Sequence, residues 1–279
     1  MSDTSVDQPG QHLPELGGGL ERFLQGRHAV VTGGGRGIGA AIATALAFRG
    51  ARVSILARTE RDVVALATQL QEKAGVEAQG IVCDVRRPES IGAAFARATE
   101  TFGPVYALIN NAGRGAASSF ASTPLAQWTE MLEINLTSSF LCTQQVLPAM
   151  LEAGEGRIIS IASTAGLKGY SHTAGYCAAK HGVIGMTRSL AIETAKRGIT
   201  VNAVCPGYTD TDMTRDTIDE LAEVRQISEE NALQMLTRNI PTGRLTHPTE
   251  VANAVIWLCS PNAEAITGQA IAVAGGEVM

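Results

Sequence analysis

Seven short runs rich in β-branched residues, each set apart from the next by a stretch of helix length, constrain this chain more than any other feature. The runs are "AVVTG", "RVSILA", "GIVCDV", "YALINNAG", "RIISIAS", "ITVNAVCPG" and "AIAVAGG". Their apolar residues fall at successive rather than alternate positions, the pattern of strands covered on both faces. Between them, residues 38–49, 61–73, 88–101, 124–151, 175–196 and 248–259 read as helices. Strands alternating with helices predict an α/β fold. Its sheet is doubly wound, with seven parallel strands, helices on both faces and right-handed crossovers.

No linker and no internal repeat interrupts the alternation, so residues 26–279 read as one domain. At 279 residues and 45% hydrophobic content, the chain can bury a large core. Residues 1–25 hold three consecutive glycines and two prolines and read as a flexible tail, without the charged and apolar blocks of a signal peptide. Only residues 208–246 break the rhythm. They read as a charged, partly helical insertion between the sixth and seventh strands, placed to act as a substrate lid.

The net charge of −5 gives no general attraction to nucleic acid or to anionic membranes. No apolar run is long enough to cross a bilayer. The expected partner is therefore a small molecule. Cys83, Cys142, Cys177, Cys205 and Cys259 are scattered without metal-ligand spacing. Neither a metal site nor a disulfide framework is expected, and a reducing cytoplasm suits the chain.

Two constellations point to chemistry. The first is "VTGGGRGIG", residues 31–39, where the first strand hands over to a helix. Gly33, Gly37 and Gly39 let the chain turn tightly, and they let backbone N–H groups meet a pyrophosphate at the positive end of the helix. This is a Rossmann-type arrangement with GxxxGxG spacing. The same glycines would also serve a tight turn with close helix packing. The second is Ser163 at the end of the fifth strand, followed by "YCAAK" at the start of a long helix. The i, i+4 spacing puts the Tyr176 phenol and the Lys180 ammonium on one helical face. A free tyrosine titrates near about 10, and a neighbouring cation stabilises its phenolate, making it a usable acid–base group. Taken alone, such a pair also fits a half-buried aromatic beside a solvated lysine.

With "TGGGRGIG", "DV" at Asp84, "NNAG" from Asn110, "IN" at Asn135, Ser163, "YCAAK" and "PGYTDT" in this order, residues 26–279 resemble the short-chain dehydrogenase/reductase family, in its ordinary-length, single-domain branch. The resemblance implies a catalytic tetrad of Asn135, Ser163, Tyr176 and Lys180. In it Ser163 polarises the substrate oxygen and Tyr176 transfers the proton. Lys180 lowers the tyrosine's pKa and holds the nicotinamide ribose, and Asn135 anchors a water leading to Lys180. It also implies that Gly33, Arg36, Gly37, Ile38 and Gly39 grip the pyrophosphate side of a dinucleotide. Asp84 and Val85 would meet the adenine, Asn111 and Gly113 the adenosine ribose, and Pro206, Gly207, Thr209 and Thr211 the carboxamide. Asp and Asn at strand ends are also ordinary turn chemistry.

Cofactor type follows from charge. NAD-binding chains carry an acid about 20 residues past the glycine loop to hold the ribose 2′-hydroxyl. Here "SILART" presents Arg58, which with Arg36 can pair a 2′-phosphate, so NADP(H) is favoured. With both arginines merely solvated, Glu60 or Thr59 would serve NAD(H) instead. The stretch from "GYCAAKHGVIGMTRSL" to the end is most similar to 3-oxoacyl reductases acting on carrier-bound or CoA-bound chains. Other members of the resembled family act as alcohol, sugar or steroid dehydrogenases. A non-catalytic cofactor sensor is a further alternative, opposed by the intact tetrad. Family habit implies a homotetramer.

Overall fold

The computed structural model describes residues 22–279. Most of the expected tail, residues 1–21, lies outside the described residues. Its last part does not: the Leu24 side chain is 1% exposed in the core, and its N–H donates to Arg49 O at 3.0 Å. The folded domain thus includes residues 22–25, which the expected boundary at 26 left out. One leucine in "ERFLQG" has no periodic company to announce its burial.

Seven parallel strands form one sheet: β1 (His28–Thr32), β2 (Arg52–Ala57), β3 (Ala78–Val82), β4 (Ala107–Asn110), β5 (Gly156–Ile161), β6 (Ile199–Pro206) and β7 (Ala270–Val273). Their spatial order is β3-β2-β1-β4-β5-β6-β7. Consecutive residues of a strand point to opposite faces, so both members of each apolar pair are used. Val31, Ile55, Ile109 and Ile159 pack on one side against α1 (Gly37–Phe48), α2 (Glu60–Ala74) and α9 (Pro248–Cys259). Val30, Leu56, Leu108 and Ile158 pack on the other against α3 (Pro88–Phe102), α5 (Ser138–Ala153) and α6 (Ala174–Thr194).

The expected helix over 124–151 is divided. It runs as α4 (Leu125–Leu132), a π-helical turn Glu133–Thr137, then α5. Its apolar spacing carries no mark of the extra residue that a π turn accommodates. The insertion contains α7 (Asp212–Arg225) and α8 (Glu229–Thr237). Its two ends meet: Thr209 and Thr246 form an isolated parallel bridge, Thr246 N–H donates to Tyr208 O at 2.9 Å, and Asp210 N–H donates to Thr246 O at 2.9 Å.

Chain order reverses direction across the sheet between β1 and β4, which are neighbours. At such a switch point the loops leaving the two strands diverge to opposite faces and leave a crevice. The glycine loop leaves β1 here, and the "NNAG" loop leaves β4.

Candidate active site

The two crevice loops are stitched together by one threonine and one asparagine. Thr32 Oγ1 accepts from the N–H groups of Asn111 (3.0 Å) and Ala112 (3.1 Å), while Asn111 Nδ2 donates to the carbonyls of Thr32 (2.9 Å) and Gly33 (3.0 Å). This closeness explains two of the glycines. A Cβ on Gly39 would lie 2.3 Å from Gly33 O, and one on Gly33 would lie 2.8 Å from Ala112 Cα. At these two positions the protein's own backbone excludes side chains, the tight-turn role. Gly37 differs: it adopts φ +55°, and its Cβ position faces the Thr211 methyl at 3.3 Å.

The N-terminus of α1 is open. Arg36, its N-cap residue, makes no side-chain capping bond, and the first turn holds no acid. The first N–H groups of Gly37, Ile38 and Gly39 therefore await an acceptor, and the helix dipole favours an anion. Ile38 is half-buried against the core. Arg58 is exposed and forms no ion pair among the described residues. Arg36 instead approaches Asp212 at the start of α7, 3.6 Å away and exposed on both sides, a pair of small energetic consequence. Asp84 accepts from Arg86 Nε (3.0 Å) and from the Arg86 N–H (3.1 Å), which hold its carboxyl down to about 2. Val85 beside it is buried.

The chemical group assembles at the carboxyl end of β5. Ser163 caps a single 3₁₀ turn, Thr164–Gly166, its Oγ accepting from Ala165 N–H at 3.1 Å. The same hydroxyl neighbours the Tyr176 phenol and acts to lower its pKa. One helical turn on, Lys180 Nζ lies 5.6 Å from the Tyr176 ring centroid and donates to Ile161 O at 2.8 Å. Lys180 is 4% exposed, and burial lowers its pKa to about 8.

Asn135 sits in the π turn, 1% exposed. Its Nδ2 donates to the carbonyls of Arg114 (2.9 Å) and Met131 (3.0 Å), and its Oδ1 accepts from Arg114 N–H (3.2 Å). The turn thus fixes the end of the "NNAG" loop. A Cβ on Gly113 would lie 2.6 Å from Asn135 Oδ1 and 3.5 Å from Lys180 Nζ, so the three meet at one point. Beyond β6, Thr209 Oγ1 donates to Gly207 O at 3.0 Å and Thr211 Oγ1 to Thr209 O at 3.3 Å. Pro206 is registered against Val273 of β7.

One expectation is corrected. The Tyr176 pKa moves up, not down: burial raises it, and the neighbouring Ser163 hydroxyl opposes that only in part. Among the described residues the buried ammonium donates to Ile161 O and makes no hydrogen bond to the phenol oxygen. Sequence reasoning also passed over Thr32, although its place directly before the glycines was a usable signal. It missed Arg86 as well.

The short-chain dehydrogenase family matches residues 27–222 of this chain. The chain belongs to that family. This short-chain dehydrogenase shares 45% identity and a TM-score of 0.86 with the structure of a variant actinorhodin polyketide ketoreductase with NADPH, over 90% of this chain and 97% of that one. The structure of levodione reductase gives a TM-score of 0.86 at 31% identity, over 91% and 98%. The 3-oxoacyl-[acyl-carrier-protein] reductase FabG of Vibrio cholerae is 41% identical over 92% of this chain and 99% of its own.

Proposed function

We propose that this short-chain dehydrogenase reduces the ketone of a 3-oxoacyl thioester to a secondary alcohol with NADPH. The observation that carries the reading is Tyr176, flanked by the Ser163 hydroxyl and by a buried Lys180 5.6 Å from its ring centroid, beside the open N-terminus of α1. Likeness to the polyketide ketoreductase and to the 3-oxoacyl reductase supports the substrate class.

The residues present fit a phosphorylated dinucleotide. The free N–H groups of α1 and the positive φ of Gly37 form a cradle for the pyrophosphate, and Arg58 is free to pair a 2′-phosphate. Asp84, Val85 and Asn111 would line the adenosine half, Gly113 would lie nearer the reacting end beside Lys180, and Thr209 and Thr211 would meet the carboxamide. Bound NADPH would supply the hydride. The protein positions the ketone and manages the proton. Ser163 donates a hydrogen bond to the ketone oxygen and stabilises the negative charge that grows there. Tyr176, kept protonated by its raised pKa, gives that oxygen its proton, which suits the reductive direction. Lys180 supplies positive charge as the phenolate forms, and Asn135 holds the loop against which Lys180 packs.

In the insertion, buried Ile218 and Ala232 pin α7 and α8, while Met213 (49% exposed), Leu233 and Met235 face outward as an apolar surface for an acyl chain. A carrier-bound or CoA-bound substrate, a cytoplasmic location and a homotetramer complete the proposal; exposed Phe140 on α5 and Ile192 on α6 support the assembly. No helix among the described residues is long and apolar enough to cross a membrane. The test is NADPH oxidation with a 3-oxoacyl thioester, the matching free ketone and a bulky cyclic ketone. A large advantage in kcat/KM for the thioester is expected; equal values, or preference for the cyclic ketone, would replace the thioester reading with a general carbonyl reductase.

A further inference from the structure

A buried carboxylate behind the active site takes no part in the chemistry above. Glu277, in the segment after β7, has a side chain only 4% exposed. Its Oε1 accepts from the Tyr170 phenol at 2.5 Å and pairs with Lys168 Nζ at 3.2 Å. Lys168 Nζ also reaches the Glu277 carbonyl at 3.4 Å. The Tyr170 hydroxyl is shared onward with Thr164 Oγ1 at 2.7 Å, and Thr164 follows Ser163 directly. Glu277 Oε2 is buried with no hydrogen-bond partner among the described residues and lies 3.0 Å from where a Cβ on Gly207 would stand.

One carboxylate therefore bonds to the loop that leaves β5, lies in the segment that leaves β7 and sits beside the loop that leaves β6, three neighbouring strands. Burying it with one oxygen unsatisfied works against folding, so stability does not account for the arrangement. Its geometry does. The chain Glu277–Tyr170–Thr164 ends at the turn that aims the Ser163 hydroxyl, and Oε2 occupies the space beside Gly207, at the start of the loop bearing Thr209. We propose that Glu277 is a positioning residue, which through Tyr170 and Thr164 sets the placement of Ser163. The inference deepens the proposed function, since the importance of that placement for turnover rests on Ser163 acting on the ketone.

The test compares Glu277→Ala, Glu277→Gln and Tyr170→Phe, and the Ala/Phe double variant, in the full chain. Misplacement of a catalytic group by about 1 Å costs up to about a hundredfold. Glu277→Ala is expected to lower kcat at least about tenfold while NADPH affinity, read by fluorescence titration, stays within about twofold. Glu277→Gln, which still accepts from Tyr170, recovers most of the loss. Tyr170→Phe matches Glu277→Ala, and the double variant is no worse than either, because the two act as one unit. Amide exchange of Ala165 and Gly166 accelerates in Glu277→Ala and not in Glu277→Gln. Unchanged exchange and kcat, additive losses, or a fall in NADPH affinity parallel to kcat would overturn the proposal. A wild type inactive on every ketone would instead overturn the reductase reading alone, since the exchange measurement needs no substrate.

Discussion

Replacing Lys180 by methionine should make the protein more stable while abolishing its turnover. Lys180 is 4% exposed, and among the described residues its ammonium has one hydrogen bond, to Ile161 O, and no carboxylate partner. Burial brings its pKa from 10.5 to about 8. At about 1.4 kcal/mol for each tenfold, that fall sets about 3 kcal/mol against the folded state at pH 7. Methionine fills a similar volume without charge. It leaves the Ile161 carbonyl short of a donor, a loss of about 1 kcal/mol, so the net gain is about 2 kcal/mol. For a chain of this size that raises Tm by about 4–8 °C. The sign with pH is definite. Between about 8 and 10.5 the unfolded chain holds the lysine proton and the folded chain does not, so the wild type gains stability as pH rises through this window. The gap between the proteins should therefore close by about pH 10. Thermal unfolding of both, without cofactor, at pH 7 and pH 10 reads this directly, and NADPH oxidation by the variant should be lost by orders of magnitude. A variant less stable than wild type at pH 7, with the same gap at pH 10, would refute the argument.

Other expectations follow from the same geometry. Tyr176→Phe keeps the ring and removes the proton donor, so kcat should fall at least a hundredfold with NADPH affinity retained; a residual kcat above about a tenth of wild type would dismiss the assigned acid. Arg58→Asp should weaken NADP(H) far more than NAD(H) in a binding titration, because it replaces an attraction with a repulsion; equal losses would count against the phosphate role. His28 is buried with Nδ1 on Gly103 O and Nε2 on Ser54 Oγ, both at 2.8 Å, and burial depresses its pKa to about 4. Its folded pKa lies below the unfolded 6.5, so the neutral ring stabilises the fold above that value and up to about 3 kcal/mol is lost as pH falls towards 4. His28→Gln should show a flatter decline of Tm between pH 7 and 5 than wild type.

The parts of the fold visible in the sequence were those with a period or a spacing. Successive apolar pairs such as Val30–Val31 and Ile158–Ile159 announced strands covered on both faces, and Tyr176 and Lys180 shared a helical face by count alone. What stayed hidden depended on distance between remote segments. Gly33 and Gly39 looked like places for a ligand, yet much of their need comes from Ala112 and from each other. The direction of the Tyr176 pKa depends on how dry its pocket is, which no spacing encodes. The π turn at Asn135 leaves hydrophobic periodicity nearly intact, and Glu277 was one more acid near the C-terminus until the structure brought it to Tyr170.

The bridge between Thr209 and Thr246 has a consequence for how this enzyme can change. Because the two ends of the insertion are pinned side by side, everything between them enters and leaves the domain through one doorway. Lengthening such a closed loop adds only about 0.6 kcal/mol per doubling of its length, and no strand must move to receive it. The segment behaves as an interchangeable cassette: α7 and α8 could be traded for those of a relative, altering what the enzyme accepts while the proton machinery on β5 and α6 stays as it is.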